Sequence, residues 1–224
     1  MPQPVAHVIY LHGFASSPAS SKARRFAAEL ANRGIGCACP DFNDPEFETL
    51  TVTRMLDQTA AAIAAAPGAP VALVGSSLGA FVAVHAAVRD ARGAHPRVDR
   101  LVLLAPALDF GGNRLRQLGE HGIDEWRRAG KLRVFHYAHH TERDVGYALY
   151  EDAARYDAFS VNLDVPALVF QGTRDASVDP SMVERWSGSR TNVDLRALDD
   201  EHQLTASIDR IWDESATFFG LSSR

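Results

Sequence analysis

A chain of 224 residues, 46% hydrophobic and 23% charged, can bury one substantial core, and its ordinary composition excludes a disordered or fibrous protein. A formal charge of −5 and a pI near 6.0 argue against a nucleic-acid or anionic-membrane surface, and Lys and Arg are scattered, as at Arg24-Arg25 and Arg127-Arg128. No stretch approaches the roughly 20 apolar residues of a membrane-spanning helix, and M-P-Q-P-V-A-H-V-I-Y lacks the basic and apolar regions of a signal peptide, so the expected location is cytoplasmic.

In chain order, V-A-H-V-I-Y-L-H (5–12) predicts the first strand, followed by the loop H-G-F-A-S-S-P (12–18). Residues 20–32 then place Ala23, Phe26, Ala27 and Leu30 on one helical stripe that stops before Gly34. G-C-A-C-P (36–40) predicts a short strand with Cys37 and Cys39 on one face, a poor disulfide pair and no zinc site, so both are expected as buried free thiols. An alanine-rich helix over 51–66 closes at Pro67-Gly68, and P-V-A-L-V-G (70–75) is the third strand. A helix over 78–91, a strand over 100–106, a strand over 166–172, a helix over 181–187, a strand over 193–198 and a helix over 204–219 complete the pattern. Strands apolar on both faces, alternating with helices, predict an α/β fold: a mostly parallel sheet of about six strands flanked by helices, in a single domain over 1–224. Residues 109–160 break the rhythm and are expected to form a cap or lid insertion.

Ligands gather at the carboxyl ends of parallel strands, so the chemistry is sought there. After the third strand stands G-S-S-L-G (75–79), a G-x-S-x-G turn in which the central Ser77, not Ser76, is presented as a nucleophile. A phosphate loop is excluded because no lysine follows, and no G-x-G-x-x-G occurs. A serine hydroxyl needs a base, and in this arrangement the histidine follows the acid in the chain. Of nine histidines only His202 lies beyond the fifth strand. For the acid, Asp175 follows that strand directly and Asp109 follows the fourth; Asp179 precedes Pro180 as a helix cap. The backbone N–H groups of Leu78 and Phe14 are the expected oxyanion donors, with His12 bracing the Phe14 loop.

With these residues in order, the chain resembles the α/β-hydrolase superfamily over nearly its whole length. More narrowly, I-Y-L-H-G-F-A-S-S-P-A-S-S-K-A (9–23) with V-G-S-S-L-G (74–79) is similar to the small bacterial YqiA/YcfP-like serine esterases. That resemblance implies an intracellular, cofactor-free serine ester hydrolase whose natural substrates are poorly defined; a small-molecule ester is the expected partner, and no metal is expected. Two departures from that group are Ala80, where a second glycine is common, and Asp200-Glu201 before His202, where glycine and asparagine are common.

Other features have weaker claims. His136, His139 and His140 match a helical metal spacing, but a polar lid surface explains them equally well. Trp126, Phe135, Tyr137 and Tyr147 either line the substrate pocket or pack the lid onto the core. Small or medium acyl esters are the expected substrates; a thioesterase, peptidase or acyltransferase using the same three residues, or a catalytically silent binding module, are the alternatives.

Overall fold

The computed structural model describes residues 3–221, apart from the side chains of residues 113–116. Its centre is a six-stranded sheet of β1 (His7–Leu11), β2 (Gly36–Ala38), β3 (Val71–Ser76), β4 (Val98–Leu104), β7 (Ala167–Gly172) and β8 (Val193–Leu198), in the order β2-β1-β3-β4-β7-β8. Every pairing in it is parallel. β1, β3 and β7 are buried along their whole length, as strands covered on both faces must be.

Helices cover the two faces. On one, α1 (Ser21–Ala31) and α7 (Ile208–Phe218) press Phe26 and Trp212 edge to face, 5.5 Å between ring centroids, over Val8, Tyr10, Val74 and Phe170. On the other lie α2 (Val52–Ala65), α3 (Leu78–Ala91) and α6 (Pro180–Gly188), packed over Ile9, Leu11, Leu73, Leu101 and Val169. α2 is capped by the Thr51 hydroxyl, which accepts from the Arg54 N–H, and α6 by Asp179, which accepts from Ser181 ahead of Pro180. Cys37 and Cys39 face α1 as free thiols, half-buried rather than buried, because β2 is the sheet edge and ends at Ala38. Burial raises both thiols, to about 11 and about 12, which leaves them poor nucleophiles at neutral pH.

Between β4 and β7 the chain forms α4 (Phe110–Ala129), α5 (Ala148–Ala153) and, between them, a second sheet: the antiparallel hairpin β5 (Lys131–His136) and β6 (Thr141–Gly146). α4 is two helices joined at Gly119, whose φ of 67° breaks the helical path. The three clustered histidines belong to the hairpin and its tip, not to a helix, which removes the spacing that suggested a metal. His136 is fully buried, and its Nε2 meets Asn43 Oδ1 at 3.0 Å. Among the described residues no helix is long and apolar enough to cross a membrane.

Candidate active site

β3 ends in a turn that only certain residues permit. Ser77 has φ 53° and ψ −115°, a strained conformation for a residue with a side chain, and it is held there by its own backbone. Its N–H donates to the Leu104 carbonyl at 2.8 Å, while its carbonyl accepts from Ala80 and Ala107 at 3.0 and 3.3 Å. The flanking glycines are required by space: a Cβ on Gly79 would fall on the Leu11 carbonyl oxygen, and one on Gly75 on the Ala80 backbone. The turn can therefore be this sharp, and it lifts the Ser77 hydroxyl above the end of the sheet.

The loops after β7 and β8 are joined edge to edge, the Thr173 N–H donating to Leu198 O at 2.8 Å and the Arg174 N–H to Asp200 O at 3.0 Å. This continuation of the sheet pairing brings Asp175 beside His202. His202 Nδ1 lies 2.8 Å from Asp175 Oδ2, and His202 Nε2 lies 3.1 Å from Ser77 Oγ. The structure thus joins Ser77, His202 and Asp175 in one line, and Asp109, at the start of α4, is not the residue that meets His202.

Asp175 is buried and accepts further bonds from the Ser177 and Val178 N–H groups on Oδ1, at 2.8 and 2.9 Å, and from Gln171 Nε2 on Oδ2, at 3.0 Å. Burial acts to raise its pKa, but the bond from His202 and these other donors outweigh it and hold the carboxyl below its ordinary value. Gln171 escaped the sequence reading; its only signal there is an amide closing the otherwise apolar strand A-L-V-F-Q-G. Asp200 does not turn on the imidazole, since its carboxylate accepts from the Glu201 and Ser207 N–H groups at 2.8 and 2.9 Å. The acidic stretch before His202 is thereby absorbed into the loop's own hydrogen bonding.

Gly13 lies against the Ser77 turn so closely that a Cβ there would sit 3.3 Å from Ser77 Cβ. Phe14 follows it, and Leu78 opens α3; both line the cavity in front of Ser77. Among the described residues neither backbone N–H is engaged by another group. His12 braces this loop: its Nδ1 donates to Gly13 O and its Nε2 accepts from the Phe42 N–H, each at 2.9 Å. The hairpin tip adds a bond from the Ala138 N–H to Ala15 O at 3.4 Å.

The cavity measures about 380 Å³, within the range of small-molecule sites. Phe14, Ala107, Phe110, Trp126, Leu149 and Val178 give it an apolar wall, and Ser16, Ser20, Ser21, Lys22 and Gln203 a polar one. Of the four insertion aromatics expected to line the pocket or pack the lid, Trp126 and Tyr137 reach the cavity, Tyr147 packs on Trp126 and Tyr150, and Phe135 is about half exposed.

A sharp serine turn after a central parallel strand, with helices on both faces of the sheet, gives this chain the α/β-hydrolase fold. Similar structures include a candidate hydrolase from Agrobacterium vitis S4, 24% identical, covering 97% of this chain and 91% of that one with a TM-score of 0.83. The α/β hydrolase domain-containing protein 10 from mouse is 19% identical over 99% and 93%, TM-score 0.79. Est1E from Butyrivibrio proteoclasticus, in a structure with ferulic acid bound, is 17% identical over 97% and 89%, TM-score 0.79. No curated protein matches the sequence. The chain belongs to the uncharacterised protein family UPF0227, which it matches over residues 7–215.

Proposed function

We propose that this protein hydrolyses carboxylic esters of small to medium acyl chains through an acyl-enzyme on Ser77. The observation that supports the reading is the unbroken line from Ser77 Oγ through His202 to Asp175, at 3.1 and 2.8 Å, opening on a cavity with an apolar wall. In this reading His202 Nε2 takes the Ser77 proton as Oγ attacks the ester carbonyl, and the Asp175 carboxylate stabilises the imidazolium that forms. The carbonyl oxygen becomes an oxyanion received by the Phe14 and Leu78 N–H groups. Collapse of the tetrahedral intermediate passes the proton from His202 to the departing alcohol oxygen. Water, deprotonated by His202, then attacks the acyl-enzyme, and the acid leaves as Ser77 recovers its proton. Every proton and electron pair in the cycle comes from these side chains, the ester and water. Residues 109–160 serve as the cap, contributing Phe110, Trp126 and Leu149 to the acyl side.

Ser77→Ala is expected to lower kcat/KM on 4-nitrophenyl butyrate by roughly 10⁴-fold or more, and a fluorophosphonate probe to label the wild-type protein at Ser77 alone. Full activity in the variant, or no labelling of the folded protein, overturns the reading. Turnover of an oxygen ester against its thioester counterpart, with the acyl group held constant, separates it from a thioesterase on the same residues.

A further inference from the structure

The cavity carries a cation that the hydrolytic cycle does not use. Lys22 sits in the first turn of α1, on the polar wall of the cavity that holds Ser77 and His202. Its ammonium has three donors, and among the described residues one bond is made, to the carbonyl of Gln203, the residue after His202, at 2.6 Å. No described carboxylate lies within ion-pairing distance of it; Asp175 and Asp200 act on it only from further away. Burial pulls its pKa down to about 8, so at neutral pH most of it remains charged, and an anion brought beside it would favour that form. Ser16, Ser20 and Ser21 line the same cavity, and the Ser20 hydroxyl does not cap the helix it precedes.

The position of this group relative to the chemistry decides which half of an ester it meets. His202 protonates the leaving oxygen, so the alcohol portion departs on the His202 side, and Gln203 and Lys22 are on that side. The apolar wall is left for the acyl portion.

Resting on the esterase reading, we propose that the polar wall is an anion subsite with Lys22 as its cation, and that the preferred esters carry a carboxylate or phosphate on their alcohol portion. A half-buried ammonium with donors left over favours an oxyanion within reach over a neutral group of the same shape.

The test compares kcat/KM on three butyrate esters that differ only at the far end of the alcohol: 4-(butyryloxy)benzoate, 4-(butyryloxy)phenyl phosphate and the neutral 4-(butyryloxy)benzamide. The anionic-to-neutral ratio is expected to fall at least tenfold in Lys22→Met for one or both anions, to persist in part in Lys22→Arg, and to change chiefly through KM. Which anion loses more tells carboxylate from phosphate. The ratio does not depend on how much of a variant is folded. A lysine that merely clamps the His202 loop would lower all three rates together, and a ratio unchanged within twofold overturns the proposal. Binding of the free alcohols provides a readout apart from turnover. In Ser77→Ala protein the Kd of 4-hydroxybenzoate or 4-hydroxyphenyl phosphate is expected to rise at least tenfold when Lys22→Met is added, with 4-hydroxybenzamide shifting less; equal shifts for all three, or none, overturn the subsite. If wild-type protein hydrolyses none of the esters, the esterase reading fails on the neutral compound while these binding arms still decide the subsite.

Discussion

Asp175 carries two duties that can be pulled apart by replacing one oxygen. Its carboxylate lies against His202 Nδ1, and in the proposed cycle it orients the imidazole and carries the negative charge that an imidazolium needs; an amide does neither well. Asp175→Asn is expected to lower kcat on 4-nitrophenyl butyrate by about 10⁴-fold with KM little moved. The same residue contributes to stability with a definite sign. Its folded pKa lies below the unfolded one, so its contribution is present above about pH 4 and is lost as pH falls through the folded value. Urea unfolding at pH 7 and at pH 3 should therefore show the gap between wild type and Asp175→Asn narrowing in acid; a constant gap would contradict the depressed pKa. At this scale Ser77 and His202 were legible because a turn motif and chain order single them out, and Asp175 was legible with Asp109 beside it as an alternative. Lys22 and Gln171 were not. Lys22 reaches the site because the start of α1 lies next to a loop 181 residues away, and nothing local in S-S-K-A records that contact. Gln171 matters through a single amide pointed at a carboxylate, which a strand's apolar pattern conceals.

The turn at the end of β3 shows how an element stores strain and why its neighbours must be small. A left-handed φ at Ser77 costs on the order of 1–3 kcal/mol, and the close approach of α3 to β1 that holds it leaves no room at Gly79. Gly79→Ala must push the Leu11 carbonyl aside, and is expected to cost about 2–4 kcal/mol, lowering Tm by roughly 6–12 °C and reducing the proposed turnover of 4-nitrophenyl butyrate in whatever remains folded. Gly188→Ala, at the last turn of α6 where an added Cβ meets nothing, is the control: no loss is expected, and a gain of up to about 1 kcal/mol is allowed by helix propensity. Thermal melts of both check this, and equal destabilisation would mean that close packing at the turn is not the cause. The central parallel strands β1, β3 and β7 announced themselves by apolar runs, since both of their faces are covered. The hairpin β5–β6 did not. K-L-R-V-F-H alternates charge with apolar residues only at its start, T-E-R-D-V-G carries three charges in a row, both lie in a largely solvated pair, and the tip Y-A-H-H lacks the Asn-Gly or Asp-Gly signal of a tight hairpin. His140 supplies the positive φ, 50°, that a glycine or asparagine would ordinarily provide.

Across the whole molecule, packing and charge together decide the response to acid. Three histidines are buried away from the site: His7 on β1, its pKa lowered by burial and by Arg97; His85, against the rings of Phe81 and Tyr156; and His136, against Phe47 and His139. Burial pulls His85 down to about 4, only partly opposed by Asp157. Burial also pulls His136 down to about 4, with His139 and Arg143 acting in the same direction. The unfolded chain binds protons at His85 and His136 from about pH 6.5 downward while the folded chain resists them, so each contribution is full above pH 6.5 and is lost as pH falls toward about 4. The depressed carboxylates act in a separate window below that: Asp41, held at about 2 chiefly by the adjacent His12 imidazole and then by bonds from Asn43, and Asp175 lose their contributions only in stronger acid. Acid unfolding should therefore begin with the histidines. Tm followed by circular dichroism is expected to fall steadily between pH 6.5 and 4.5, and to fall less steeply in His85→Phe, which keeps the ring stack but cannot take up a proton. Among the described residues His85 Nε2 has no hydrogen-bond partner, so the substitution removes no such bond at that atom. His85→Gln, also unable to charge, separates ring size from titration: both variants should share the shallower slope whatever their Tm at pH 7.5. A slope parallel to wild type in both would mean that His85 protonates freely in the folded protein, and that its packing against Phe81 and Tyr156 is looser than the structure describes.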